Sequence, residues 1–511
     1  MSAMTTRVNS AVGSAEPGGD PPVPPPLTTS AVPPRTGSTR GAMVHRAAVD
    51  RLVASYRAIP PGTGVRLVKR TSNLFRPRAD AAGPGLEVGG LGGVVSLDVE
   101  ADAEAAGRAA TADVQGMCTY EELVGVTLPK GFMPLVVPQL RTITLGGAVT
   151  GLGIEASSFR SGLPHESVLE LDVLTGAGEI VTARPTGEHA DLFTGFPNSY
   201  GTLGYAVRLR IQLERVQPYV ALRNVRFGSP EDLAAAIEVI VSERAWEGEP
   251  VDFLDGVLFS ATEGYLVLGH WSDEVPAVSD YTGQEVYYRS LRSRGRDALT
   301  VHDYLWRWDT DWFWCSRAFG AQNPLLRRVW PAALRRSDVY HRIVGLENRY
   351  HVAGRVDRWR GRPARERVVQ DVEIPVRRTA EFLRWFLGHV PLTPIWLCPL
   401  RLRSTGGPLG DLPDGVRPWP LYLLRTGATY VNVGFWGTVP VEPGRSDDDV
   451  NRMIETAVDE FEGHKSLYSD AYYDEASFRA KYGGDTYAQL KERYDPGGRL
   501  LDLYAKAVRR R

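Results

Sequence analysis

A chain of 511 residues, 43% hydrophobic and 23% charged, is long enough for two or three domains and has the make-up of a soluble globular enzyme. A formal net charge of −2 supplies no basic field to neutralise phosphates, which argues against nucleic acid as a main partner. Cys118, Cys315 and Cys398 are widely separated, which excludes a disulfide framework or zinc finger and fits a reducing cytoplasm.

In sequence order, residues up to Ala42 are rich in Pro, Gly, Ser and Thr, and bury too little apolar surface to offset their ordering entropy. They read as a disordered leader without the apolar run of a secretory signal, and no stretch of the chain is apolar enough to span a bilayer. MVHRAAVDRLVASYRAI then has helical spacing. In TSNLFRPR, Thr71, Ser72 and Asn73 could donate hydrogen bonds and Arg76 could pair with a phosphate; a plain loop into the next strand fits equally. A strand and a helix capped near Thr119 follow.

The stretch TITLGGAVTGLGIEASSFRSG, Thr142 to Gly162, organises the protein. Glycines at this density let a backbone approach a ligand, consecutive N–H groups cradle anionic oxygens, and the Ser157 and Ser158 hydroxyls extend the cradle. A diphosphate loop is expected. Gly151, Gly153 and Ala156 also fit G-x-G-x-x-A, with Asp172 placed as a ribose-binding acid. That fingerprint must open a helix, and Gly162 and Pro164 break one here. LELDVLTGAGEIVTA instead predicts a β-hairpin turning at Gly176–Gly178.

After Val216 the pattern changes to a strand, a helix starting at Ser229-Pro230, and a hairpin pair. The segment from 304 to 336 carries Trp306, Trp308, Trp312, Trp314 and Trp330. It reads either as an aromatic core stripe or as an amphipathic surface meeting a membrane, with Arg327, Arg328, Arg335 and Arg336 toward headgroups. More strands follow, and the tail is helical with acids as frequent as bases, a docked helix rather than a nucleic-acid surface.

The glycine stretch, the hairpin, and DLFTGFPNSYGTLGYAVRLRIQL together resemble the FAD-binding domain of the vanillyl-alcohol-oxidase, or PCMH, type. The resemblance implies an α+β architecture: a two-subdomain FAD-binding domain over 43–216, an α+β substrate (cap) domain over 217–450, and a helical segment over 451–511 returning to the flavin. It implies that Thr144, Leu145, Gly146, Gly147, Gly151, Gly153, Ile154, Glu155, Ser157, Ser158 and Gly162 wrap the diphosphate and flavin. Gly201, Thr202, Gly204 and Val207 then support the adenine half. Covalent flavin attachment in this class uses His or Cys in these loops; none falls there, so FAD is expected to be non-covalent, with His165 the residue that keeps a link open.

NPLLRRVWPAALRR, VVQDVEIPV, PIWLCPLRL and LYSDAYYDEASF narrow the resemblance to delta-24 sterol reductases, over nearly all of Val49 to Val508. Those FAD enzymes reduce a C=C bond in the aliphatic tail of sterols. The family's eukaryotic members carry an N-terminal membrane anchor where this protein has its proline-rich leader, and RWRGR at Arg358 to Arg362 matches nothing in them. The implied reaction needs an acid near the flavin in an apolar pocket. Candidates are Tyr468 and Asp371, with Asp470 and Glu373 nearby, and Lys465 to stabilise negative charge on the flavin. NADPH is implied as a transient donor, since no second nucleotide fingerprint exists. Competing readings are an oxidase or dehydrogenase of sugars, alditols or lipid-linked sugars, and a non-catalytic flavin- or lipid-binding protein. No metal-ligand cluster appears. The expected location is cytoplasmic, with peripheral membrane contact through the tryptophan-rich segment.

Overall fold

The computed structural model describes residues 39–68, 85–99, 110–350, 363–446 and 448–509, with 355, 359 and 361. Most of the leader, the loop with Thr71, Ser72, Asn73 and Arg76, and Arg358, Arg360 and Arg362 lie outside these residues. Thr39 to Ala42, expected in the leader, instead form the first turn of helix α1 (Thr39–Ala58). Among the described residues no helix is long and apolar enough to cross a membrane.

Helix α1 packs through Ala48, Leu52 and Tyr56 onto the first sheet, and the Tyr56 hydroxyl donates to Gly176 O at 2.6 Å. That sheet is antiparallel, in the order β1 (Val94–Asp98), β2 (Thr111–Gln115), β6 (Gly204–Arg215), β4 (Val168–Thr175), β5 (Ile180–Ala183), with β3 (Phe132–Pro134) also on β6. The expected hairpin is β4–β5, and Gly178, at φ +87°, makes its turn. Asp172 accepts from Arg208 Nε at 2.7 Å and from Thr182, so it is part of the sheet and not a ribose ligand. Between β3 and β4 the glycine stretch forms the short helix α2 (Leu145–Thr150) and a turn at Ser158–Ser161.

The second sheet runs β10 (Arg296–Thr300), β7 (Tyr219–Phe227), β9 (Glu263–Ser272), β8 (Phe253–Ser260), β12 (Ile395–Arg401), β13 (Thr429–Pro440), β11 (Arg365–Pro375), β14 (His464–Lys465), antiparallel throughout. One face carries Leu254, Leu258, Val368, Val372, Ile374, Leu397, Val431, Val433 and Phe435 against helices α3 (Pro230–Glu243), α4 (Val376–His389) and α5 (Asp449–Glu460). Helix α3 starts where its sequence predicts: the Ser229 hydroxyl accepts from Asp232 N, with proline at the first position. Because strand residues alternate between faces, the other face presents Asp255, Asp371, Glu373, Trp396, Cys398, Asn432 and Trp436.

Residues beyond Ser466 return to the first domain. Leu467 N donates to the Tyr200 hydroxyl at 3.0 Å, Tyr487 to Thr202 Oγ1 at 3.0 Å, and Lys491 Nζ to Thr202 O at 2.8 Å. The cap boundary moves from 450 to about 465, since α5 and β14 complete the second sheet. The tryptophan-rich segment settles as core: Trp306, Trp308, Trp312 and Trp314 are buried, so they face no membrane. Arg327 and Arg335 are buried as well, and Arg336 pairs with Glu121 at 2.7 Å, which removes all three as headgroup contacts.

Gly116 ends β2 where a Cβ would lie 1.9 Å from Ala206 O. Gly116→Ala is expected to destabilise the protein by about 1–3 kcal/mol through forced backbone displacement. Gly388→Ala, in the last turn of α4 with open space around it, should instead stabilise by about 0.4–1 kcal/mol. Thermal unfolding of the two variants checks both signs.

Candidate active site

The cradle is built from backbone. Thr144 caps α2, accepting from Gly147 N at 3.2 Å, and Gly146 N donates to Gly116 O at 3.0 Å. A Cβ at position 146 would sit 2.6 Å from Gly116 O, so this glycine serves close packing of the loop on β2 and not ligand access. Gly147, Gly151 and Gly153 are likewise crowded on the Cβ side, by Thr144 Oγ1, Gly147 O and Pro164. Ligand access comes from the amides. The N–H groups of Leu152, Gly153, Ile154, Ala156 and Ser157 have no acceptor among the described residues, and all but Leu152 belong to buried residues. Buried backbone donors are paired in the great majority of folded proteins. A row left unspent fits the diphosphate and heteroaromatic acceptors of FAD.

Asn198 Nδ2 donates to Gly151 O at 2.7 Å and Tyr200 N to Thr150 O at 2.6 Å, tying the cradle to the G-T-L-G turn. Gly201 takes φ +75° there, and Gly204 opens β6 where a Cβ would be 2.7 Å from Leu174 O. Several expected ligand groups are committed inside the protein. The Ser157 hydroxyl donates to Leu135 O at 2.8 Å, and Ser158 Oγ accepts from Glu155 N at 3.0 Å, so neither extends the cradle as supposed. Val207 is core beneath α1, holding Gly116 N through its carbonyl, and Gly162, at φ +70°, ends the turn after Ser158. Thr202 is locked by Tyr487 and Lys491, Ile154 is buried, and Leu145 N donates to Cys118 O.

Opposite stands the polar face of the second sheet. Glu373 pairs in register with Asn432, and Asn432 with Cys398; Asp255 continues this row on β8. One row over, Asp371 lies opposite Gly434, where a Cβ would fall 2.4 Å from Asp371 Oδ1. Glycine there makes room for the carboxyl. Trp436 Nε1 donates to the Tyr468 hydroxyl at 2.8 Å, Tyr468 hydrogen-bonds Asp371, and Asn432 lies beside that carboxyl. The Ser466 hydroxyl donates to Glu373 Oε1 at 2.6 Å, and Arg307 pairs with Asp255 at 2.9 Å. From the FAD-binding side, Glu155 accepts from Gln139 N at 2.8 Å and Gln139 Nε2 at 2.5 Å. Gln139 Oε1, Asp255 Oδ1, Glu373 Oε2 and Asn432 Oδ1 are buried without partners among the described residues. Such atoms are expected where a polar cofactor belongs.

Burial dominates the electrostatics. It raises Asp371 to about 7, against the lowering effect of Asn432 and Tyr468. It raises Glu155 to about 8, and Glu373 well above the ordinary carboxylate range. Three carboxyls thus keep protons near neutrality. Glu373 is sealed, whereas Asp371 and Tyr468 keep some accessible surface.

Lys465 does not join them. It pairs in register with Val372, which puts it on the helix side of the sheet, where it is bonded to Glu455 and Asp470 O. Its ammonium is a structural ion, and the flavin-stabilising role expected for it is corrected. Asp470 faces Arg367 at 3.9 Å. His165 is buried, held neutral by burial that lowers it to about 3, and edge-on to Trp419 at 4.4 Å. Asn432, Trp436, Asp255, Arg307 and Gln139 were missed by sequence reasoning. Their one signal was polar alternation, as in VNVGFW, which marks a face without saying what it meets.

An amide-lined cradle between an antiparallel sheet and a capping sheet defines an FAD-binding oxidoreductase of the PCMH type, and a family model described as FAD binding domain matches residues 65–184. The protein is 25% identical over 445 residues to the Delta(24)-sterol reductase of Arabidopsis thaliana, covering 78% of this sequence and 74% of that one. It is 26% identical over 421 residues to the Delta(24)-sterol reductase of Homo sapiens, covering 78% and 74%. Cytokinin dehydrogenase 8 of Oryza sativa subsp. indica is 29% identical over 201 residues, covering 38% of this sequence and 35% of that one. Within that class its similarity to the delta(24)-sterol reductases extends over about three quarters of the chain.

The raised Asp371 carboxyl makes a signed prediction. Its stabilising proton is fully held below its unfolded value near 4 and is lost as pH rises through about 7. Wild type should therefore lose stability relative to Asp371→Asn between roughly pH 4 and 7, by no more than about 4 kcal/mol, and the gap should then level off. Paired thermal melts across that range measure it.

Proposed function

We propose that this FAD-dependent oxidoreductase reduces a carbon–carbon double bond of a sterol or isoprenoid-like lipid, with NADPH as the electron donor. Bound FAD supplies the hydride carrier between donor and alkene. The residues that would hold it are the amide row from Leu152 to Ser157 and the turn at Gly201 to Gly204. The alkene gains a hydride at one carbon and a proton at the other, and the nicotinamide is oxidised.

One observation carries the reading: a protonated acid pair set in an aromatic wall. Tyr468 is held by the Trp436 N–H on one side and Asp371 on the other. Phe313 lies 4.6 Å and Trp314 5.2 Å from the Trp436 ring, and Phe313 5.3 Å from Trp396. These rings offer flat apolar contact and few hydroxyl partners, which suits a lipid better than a sugar or alditol. Tyr468 presents the proton, and Asp371, poised near neutrality, restores it. Burial also pushes the Cys118 thiol up to about 12, which makes it a poor nucleophile and supports a non-covalently held FAD. A lipid substrate is collected from a membrane, and peripheral membrane contact belongs to the same reading.

Anaerobic NADPH is expected to bleach the flavin of the holoprotein, and a sterol with an unsaturated aliphatic tail to restore its colour. Bleaching by a sugar or alditol alone would reverse the assigned electron flow. Tyr468→Phe should keep the NADPH bleaching and lower kcat for the alkene by about 10²–10⁴-fold. Acid precipitation should release all flavin from the polypeptide.

A further inference from the structure

Asp255, on β8, is fully buried, and its two carboxylate oxygens are treated unequally. Oδ2 accepts from Arg307 Nη2 at 2.9 Å, from Trp308 Nε1 at 2.9 Å and from Trp396 Nε1 at 3.4 Å. Oδ1 has no partner among the described residues. These donors hold the carboxylate in one orientation. Arg307 is itself fixed by bonds to Tyr304 O at 2.8 Å and to the Tyr287 hydroxyl at 3.2 Å, and lies on the Tyr304 ring at 3.8 Å. An ion pair that only tied down the tryptophan-rich segment would explain the first oxygen. It would leave the second as a charged acceptor without a donor, which is expensive away from water.

Asp255 also lies beside the cradle. The residue before it donates Leu254 N to Ala156 O at 2.7 Å, which joins β8 to the C-terminal end of the amide row. That row offers hydrogen-bond donors only. The oxidised flavin ring carries acceptors at N1, N5 and both carbonyls, and a single donor, the N3–H. Backbone amides can serve the acceptors, but the N3–H needs an acceptor next to the row. We propose that Asp255 Oδ1 is that acceptor, so that this aspartate orients the flavin ring and lowers its reduction potential. An anion beside the ring opposes the negative charge gained on reduction, and a more reducing flavin is what an unactivated alkene requires. Of the other unpartnered acceptors on this side, Asn432 and Glu373 stand on strands further along the sheet from the cradle. Gln139 offers only a neutral oxygen, on an amide turned onto Glu155. The assignment rests on the FAD reading above and adds a residue on the cap to it.

The test is reconstitution of the FAD-stripped full-length protein with FAD and with N3-methyl-FAD, each dissociation constant being read from flavin fluorescence. Wild type should bind N3-methyl-FAD about tenfold or more weakly than FAD. In Asp255→Asn, Arg307 and Trp308 keep the amide oxygen, and the NH2 group is turned on the N3–H. That variant should bind FAD about tenfold or more weakly, discriminate between the two cofactors by less than about threefold, and hold the flavin at a higher midpoint potential. Equal wild-type affinity for the two cofactors would overturn the assignment, whether or not any variant folds. So would an Asp255→Asn protein that loses affinity for both cofactors equally at an unchanged potential. Discrimination lost in Gln139→Met and kept in Asp255→Asn would overturn it too, and would place the N3–H on Gln139. Failure of wild type to bind FAD at all is a distinct result, which would defeat the cofactor reading and this assignment together.

Discussion

The constraint on which the rest depends is the row of amides at Leu152, Gly153, Ile154, Ala156 and Ser157, which have no acceptor among the described residues. A protein interior does not leave such donors unpaired without compensation, because each forfeits a hydrogen bond to water. Everything around the row fixes its direction. Gly146 packs against Gly116 to bring the loop down on β2, Asn198 and Tyr200 hold its N-terminal end, and the C-terminal helices clamp the Thr202 turn beside it. The opposing sheet completes the arrangement with buried polar atoms that also lack partners among the described residues. Two surfaces with complementary deficits facing one space are what a large, polar, flat cofactor satisfies.

The same burial that leaves those groups unpaired sets the chemistry. Carboxyls taken from water keep their protons, so Asp371, Glu373 and Glu155 form a neutral, proton-rich lining although every one is an acid. Strand alternation sorts the charges. Asp371 and Glu373 turn toward the cofactor side, while Lys465, opposite Val372, turns to α5 and is neutralised by Glu455.

Local pattern carried much of this account. The β4–β5 hairpin, the start of α3 and the glycine loop follow from turn residues, caps and spacing that act over a few positions, whereas the returning C-terminus came only from the family resemblance. The reason for the glycines did not follow, because crowding at Gly146 comes from Gly116, far from it in sequence. The acid site was half legible: Asp371 and Tyr468 stood out as residues, but their partners Asn432 and Trp436 are set by the register between β11 and β13, which pairing across the sheet decides. The tryptophan segment was ambiguous for a related reason. Amphipathic spacing shows that one side is apolar, and only the packing of Trp308, Trp314 and Phe313 against Trp396 and Trp436 shows which residues took the interior.

Hydrogen exchange at the amides of Leu152, Gly153, Ile154, Ala156 and Ser157, compared between FAD-loaded and FAD-stripped protein, tests the central claim most directly. Strong protection of these amides that appears only with FAD is the predicted result. Equal exchange in the two forms, with FAD demonstrably bound, would contradict it.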